Sequence, residues 1–544
     1  QGQSVQYQYD AHGRVLQVQR VTPQAGQSPH TSALRYQWDT AGRLTRLTNE
    51  AGEHTQFEYD AADRLVHETG FDGRTQRYEW DAAGQLTASH DCASAEAHAP
   101  RLSTHYRYDG AGQLTQRLVP QAPTNLPADW TDLAQVLQDH TGTWAREDQY
   151  SYDDDGQLQS ASGAGLQVQF ERDALGRTTA ETVDASATQG FKHTVRHSYH
   201  ALGHRQSSQY PHAPEVSWLT YGSGHVHQVL LGQEAVVDLS RDNLHRETGR
   251  QLLGVNPKMP PITLSRSYDA MGRLSDMLVL PAKAIPGQSI SGQSPEEPNP
   301  EIPQLMDLSR HHHYNRIGQL DHIEHLRLHP PAQPWQPPQR QTHRSQRYGY
   351  DAQQRLEFEG VHSVNGDGRE RVQREQHWHY DRAGNRIHPD DTRYRPLERA
   401  APGNRLHRSA QARYRHDAWG NVVQIDHTAG PHKGQQVRLA YDGEHRLLAS
   451  ERIQTGTDGQ RHSVLTCYHY DPMSRRVGKQ HLKIVKCNES QPSPSKTSLQ
   501  IQSSLWFGWD GDRMVTMQND RQASTTIYEP DSFVPMLRVD KQLK

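Results

Sequence analysis

The dominant pattern along the chain is a pair of aromatic residues two positions apart, then a short polar stretch, then a second alternating run. Such pairs are Tyr7/Tyr9, Tyr36/Trp38, Phe57/Tyr59, Tyr78/Trp80, Tyr106/Tyr108, Tyr150/Tyr152, Tyr348/Tyr350, Trp378/Tyr380 and Tyr468/Tyr470. A spacing of two puts both rings on one face of a β-strand. The polar stretch reads Asp-x-x-Gly. Asp at the first turn position hydrogen-bonds the backbone two residues on, and Gly at the fourth takes positive φ without steric cost. A return strand follows, as in Arg43-Leu44-Thr45-Arg46-Leu47-Thr48. Each unit is therefore predicted to be a hairpin: strand, tight turn, strand.

The unit recurs from end to end. Tyr9-Asp10-Ala11-His12-Gly13-Arg14 returns as Trp38-Asp39-Thr40-Ala41-Gly42-Arg43, as Tyr59-Asp60-Ala61-Ala62-Asp63-Arg64 and as Trp80-Asp81-Ala82-Ala83-Gly84-Gln85. Further copies are Tyr108-Asp109 with Gly112, Tyr152-Asp153 with Gly156, Tyr268-Asp269 with Gly272, and Tyr380-Asp381 with Gly384. Others start at Tyr350 and Tyr470, and looser ones at Arg172, Tyr199, Tyr314, His416, Tyr441 and Trp509. This makes about sixteen units, an internal repeat covering residues 1–544. One hairpin is marginal in water, but a series pairs into a long sheet in which each unit covers its neighbour's edge. The aromatics are expected to stack as cross-strand pairs, each contributing roughly 0.2–1 kcal/mol.

Composition changes the picture in one respect. Of 544 residues, 33% are hydrophobic. Even with Gly counted, that is below the roughly 45–50% of compact domains. Disorder would come with high net charge and few aromatics. Here 59 basic and 63 acidic residues leave a net charge of -4, and the 23 Tyr and 10 Trp fall largely in register with the repeat. A sheet wrapped around a cavity, wet on both faces, reconciles order with polarity. No run approaches the roughly 20 apolar residues of a membrane-spanning helix. Residues Gln1 to Tyr9 do not read as a signal peptide. Cys92, Cys467 and Cys487 are too few for a disulfide framework. Cys467 and Cys487 are placed to face each other across a hairpin, with reduced thiols the favoured state. The neutral charge balance carries no nucleic-acid footprint.

The Tyr-Asp-x-x-Gly-Arg-Leu pattern resembles the YD repeat of the rearrangement-hotspot (Rhs) family. Three stretches add to the resemblance: Tyr221-Gly222-Ser223-Gly224-His225-Val226-His227-Gln228 with Arg241-Asp242-Asn243-Leu244-His245-Arg246-Glu247; Tyr380-Asp381-Arg382-Ala383-Gly384-Asn385-Arg386 with Pro402-Gly403-Asn404-Arg405-Leu406; and Tyr528-Glu529-Pro530-Asp531-Ser532-Phe533-Val534-Pro535. The resemblance implies an all-β fold: a spiralling sheet of hairpins forming part or most of a hollow shell around a C-terminal toxin. It further implies a type VI secretion effector, with an N-terminal PAAR domain on a VgrG-type spike, a chaperone, and aspartyl self-cleavage at an Asp-Pro-x-Gly-Leu-type junction. No such PAAR region precedes Gln1, and neither the junction nor a toxin domain precedes Lys544, so the chain is expected to be the middle of a longer protein. That protein would be made in the bacterial cytoplasm and delivered into a target cell. The YD repeat is shared with insecticidal toxin-complex C proteins and with teneurins. A toxin-complex shell component and a teneurin-like or carbohydrate-binding adhesion module are therefore the alternatives.

No catalytic, cofactor-binding or metal-ligating set is predicted; the residues singled out are the repeat-turn positions above. His311-His312-His313 is the densest of the histidine runs, and His322 and Glu324 share a strand face nearby, but a third ligand is not evident. The 35 histidines suggest a shell that loosens in mild acid. Asp153-Asp154-Asp155-Gly156 lacks the spaced ligands of a calcium loop and reads as a turn. Loop insertions are expected near 119–149, 281–305, 329–342 and 488–500. Trp130, Leu133, Ala134 and Leu137 recur at helical spacing, predicting one short helix near 130–138.

Overall fold

A computed structural model describes the chain apart from residues 1–3, 25–26, 51, 95, 97–98, 120–145, 187–189, 254–261, 282–307, 330–338, 352–353, 381–383, 388–404, 456–460, 487–496, 531 and 544. Among the described residues the fold is all-β, with thirty-nine strands. Successive strands pair antiparallel in chain order. Twenty-seven, from Ser4–Tyr9 to Glu370–His377, form one sheet, and ten, from Ala412–His416 to Pro535–Gln542, form a second. Between them lies the short pair His379–Tyr380 and Arg386–Ile387. The helix expected near 130–138 lies outside the described residues. Residues 146–149, 339–342 and 497–500, at the edges of the expected insertions, are strand.

Each hairpin follows from its sequence. In the first, Gly13 N–H donates to the Asp10 carbonyl at 3.1 Å, and Asp10 N–H donates to the Arg14 carbonyl at 2.9 Å. Gly13 sits at φ +79°, a left-handed conformation that costs a Cβ-bearing residue. The extra residue makes a bulge, so Tyr9 pairs with Val15. Trp38 with Leu44, Tyr59 with Leu65 and Trp80 with Leu86 repeat that register. The Asp10 carboxylate accepts the His12 and Arg14 N–H groups, both at 2.9 Å, and the Arg14 guanidinium at 2.6 Å.

The aromatic position does something different from the cross-strand stacking expected of it. Its cross-strand partner is aliphatic in the first units and arginine at Tyr380 and Tyr470, and its polar tip reaches back to the preceding hairpin. Trp38 Nε1 donates to the Val15 carbonyl at 2.8 Å, Tyr59 OH to Leu44 at 3.0 Å, Trp80 Nε1 to Leu65 at 2.9 Å, and Tyr108 OH to Leu86 at 2.9 Å. The same bond recurs at Tyr152, Tyr268, Tyr350, Tyr380 and Tyr470. A Phe ring can pack here but cannot donate, whereas Tyr and Trp do both, which accounts for the absence of Phe from the repeat positions named above. The Arg after the turn completes the link. Arg14 reaches the Asp39 carbonyl, Arg43 that of Asp60 and Arg64 that of Asp81, at 2.8–3.0 Å. Each guanidinium also lies over the next unit's ring, 5.2 Å from its centre for Arg43 and Tyr59. Ring stacking within one strand occurs at Tyr7–Tyr9 and Tyr36–Trp38.

The sheets are held by ladders along their length, and buried apolar residues gather most densely in three clusters. The first strand, Ser4–Tyr9, is exposed at every position, as is Glu370–His377. One apolar cluster, around Val216, Trp218, Val229 and Val237, also contains Val515, Ile527 and Leu537 from the second sheet. Another joins Val168, Val183 and Phe191 to Val477 and Trp506. Two of the three clusters therefore straddle the sheets. The third, around Leu465 and Cys467, lies within the second.

Candidate functional site: a seam of hairpin tips

The second sheet meets the first through its turns. The Asp417–Gly420 turn places Trp419 against the first sheet, 1% exposed, with Nε1 donating to the Asp91 carbonyl at 3.0 Å. The next tip puts His445 Nε2 2.6 Å from Asp91 Oδ2, and Asn421 Nδ2 lies 2.9 Å from His445 Nδ1. Glu444, beside it, pairs with Arg117 at 3.2 Å and Arg146 at 3.3 Å. Both arginines also hold the fully buried Asp148 at 2.8 Å. They then donate to backbone carbonyls of the following tip, Arg117 to Pro472 at 3.1 Å and Arg146 to Asp471 at 3.0 Å.

The pattern continues. Arg475 bridges its own turn carboxylate, Asp471, at 2.8 Å and Glu181 of the first sheet at 2.6 Å. Glu181 also accepts Gly511 N–H at 2.8 Å. Asp510 faces His197 at 3.1 Å, Arg205 at 2.8 Å, Tyr210 OH at 3.4 Å and Arg513 at 3.9 Å. His193 Nε2 lies 3.1 Å from Thr516 Oγ1, and its ring covers Gly508, where a Cβ would fall 2.1 Å from Nε2. Phe191 stacks on Trp506 at 5.2 Å. At the far end Arg250 pairs with Glu529. Contacts run in chain order, from Asp91 with Trp419 to Arg250 with Glu529, so successive tips dock on successive hairpins.

Burial sets the electrostatics. It pushes the Asp510 carboxyl up, but His197, Arg205 and Arg513 outweigh it and hold the group below the usual carboxylate range. At Glu181 burial prevails over Arg475 and raises the carboxyl. Burial lifts the Tyr210 and Tyr150 hydroxyls to about 12. His193 is lowered to about 3, mainly by burial, with Asp510 opposing and His212 and Arg475 reinforcing. A His neutral when folded but protonated when unfolded makes stability fall with acidification. Between pH ~6.5 and ~3 this one group should remove about 1.4 kcal/mol per pH unit. Urea unfolding from pH 7 to 4 checks this. His193→Gln should flatten the slope, and an unchanged slope would exclude His193 as its source.

The repeat-turn residues singled out in the sequence form the ladder rather than the seam. Asp10, Asp39, Asp60, Asp81, Asp109, Asp153 and Asp269 stand at turn starts, with Gly42, Gly84, Gly112, Gly156 and Gly272 at positive φ. Asp153-Asp154-Asp155-Gly156 is one such turn. Tyr380 and Gly384 keep the pattern, whereas Asp381 lies outside the described residues. The seam uses the looser copies, at 416, 441 and 509, together with the Tyr470 unit. Asp242, read only within a longer motif, is a further repeat turn, with His245 at φ +59°. The seam partners, some 280–355 residues apart, were missed. The available signal was the replacement of small turn residues by Trp419, Glu444 and His445. Cys92 and Cys467 are free and buried. Cys467 pairs with Ala449 on one side and Gln480 on the other; Cys487, expected to face it, lies outside the described residues.

The family model described as RHS Repeat matches residues 38–75 and 80–124. The chain is 32% identical over 404 residues to Toxin protein Tse5 of Pseudomonas aeruginosa, covering 72% of this chain and 27% of that protein. It is 27% identical over 375 residues to Double-stranded DNA deaminase toxin A of Burkholderia cenocepacia, covering 69% of this chain and 21% of the relative. The chain thus spans about a quarter of the length of these relatives. Crystal structures of TcdB2-TccC3-Cdc42 and of TcdB2-TccC3 share the fold, each at TM-score 0.51 and 12% identity over 97% of this chain and 28% of theirs.

Proposed function

Because the chain belongs to the Rhs (YD-repeat) family, we propose that it is a length of container wall that confines a toxin carried on the same polypeptide. The seam carries this reading. A sheet whose later hairpin tips dock in order on its earlier hairpins curls back on itself instead of lying open. The wall acts by steric confinement and needs no bond chemistry of its own residues. Its sparse apolar surface offers the cargo little to adhere to. The toxin, the PAAR and spike-binding parts, a chaperone, and delivery by type VI secretion belong to this proposal. The relatives named as toxins support it. We also propose that residues 1–544 form one wall segment, with the repeat turns above as purely structural positions.

The test uses the complete reading frame. Limited proteolysis of the full-length protein should leave its C-terminal toxin region resistant while the wall is intact. Arg475→Ala, which unpairs Glu181 and Asp471, should render that region cleavable. Equal cleavage of the toxin region in wild type and variant, at the rate of the isolated toxin, would refute confinement.

A further inference from the structure

Away from the seam, strands Ser309–Tyr314 and Leu320–His329 form a hairpin whose register places His313 directly opposite His322 and His311 opposite Glu324. Alternate residues share a face, so one side of this hairpin carries a square of three imidazoles and a carboxylate. The sequence alone paired only His322 with Glu324; the register supplies the third donor. We propose that His313, His322 and Glu324 bind a divalent transition-metal ion, with zinc the best match to the donor set.

The geometry is close to what an ion requires. Donor atoms of the three side chains all lie within 4.8 Å of one another. Tetrahedral bonds of 2.0–2.2 Å set ligand atoms about 3.4 Å apart. His313 Nε2 and Glu324 Oε2 are already 3.6 Å apart, and that nitrogen is buried without a hydrogen-bond partner. The His313 and His322 rings lie nearly parallel, 3.9 Å between centres, which keeps their ring nitrogens side by side; ligation requires the two rings to unstack and turn so that their in-plane lone pairs meet at the ion. Supporting contacts resemble those that orient metal-bound histidines. His322 Nδ1 lies 3.0 Å from Asp321 Oδ2, leaving Nε2 for the ion. His311, packed against His313 at 4.3 Å, has Nδ1 2.9 Å from Asp276 Oδ1. Side-chain exposures of 29–35% give the ion access. Three protein donors leave a fourth position to water, and the ion ties the two strands of the hairpin together.

The test is titration of the purified chain, stripped with EDTA, using zinc chloride and separately cobalt chloride. One equivalent is expected to bind with micromolar or tighter Kd. Cobalt should give the intense visible bands of a four-coordinate nitrogen and oxygen site. His313→Ala, His322→Ala and Glu324→Gln should each weaken binding at least tenfold, and His12→Ala, at an exposed turn, should leave it unchanged. Wild-type protein without the cobalt bands overturns the proposal whatever the variants do. So does one-equivalent binding of equal affinity in the doubly substituted His313→Ala/His322→Ala chain.

Discussion

Asp510→Ala is expected to cost about 3–5 kcal/mol, the toll of leaving buried charges without their partner. Asp510 is 5% exposed and is the shared acceptor of the Arg205 guanidinium, the His197 ring and the Tyr210 hydroxyl, with Arg513 close by. Removing the carboxylate leaves the Arg205 guanidinium facing the other donors without the buried acceptor they share. Asp510→Asn keeps the shape but not the charge, and should recover only part of the loss. Urea denaturation gives the magnitude, and hydrogen exchange gives the location. Amides of Phe191–Tyr199 and Arg513–Gln518 should lose protection, whereas those of the first hairpins should not. A loss below 1 kcal/mol would mean that the seam does not depend on this carboxylate.

Trp419→Ala is expected to cost about 3–5 kcal/mol, as for other buried aromatics truncated to Ala. Trp419 heads the largest fully buried side chains and occupies a turn tip, a position where the first sheet has the exposed Leu175, Leu202, Leu244, Met271 and Ile317. Its substitution leaves a cavity between the sheets and removes the donor to the Asp91 carbonyl. Trp419→Phe keeps most of the packing and should cost only about 1–1.5 kcal/mol more than the packing change, the net worth of one hydrogen bond. The measurement is thermal unfolding together with tryptic cleavage between the sheets. Equal loss for Ala and Phe would assign the effect to the hydrogen bond rather than to burial.

These residues also show what the sequence made legible. The hairpins were readable because every signal is local: Tyr9 to Arg14 contains the strand end, the turn acceptor and the left-handed Gly. The donor role of Tyr59 and Trp80 was equally present, in the exclusion of Phe, but it needs knowledge of which neighbour lies alongside. The seam was not legible. Asp510 follows Trp509 as in any unit, and nothing in its surroundings names His197 or Arg205 some 300 residues earlier. Glu444 and Trp419 look like decay of the repeat until a facing sheet gives their size and charge a purpose. The His313–His322 pair lies between these cases, because the bulge before Tyr314 decides which histidine faces which, and that register required the ladder.

The ordered seam also has a kinetic meaning. Every ladder step joins segments near in sequence, while the first seam contact must close a loop of more than 300 residues. Loop-closure entropy grows only logarithmically, about 0.6 kcal/mol for each doubling of length, and it is spent once. After the Trp419 tip has docked, each further tip is held a few residues from its berth and closes locally. A chain growing from its N-terminus thus lays down the first sheet as a template and fastens the second onto it tip by tip, like a zipper whose slider enters at Asp91 and stops at Arg250.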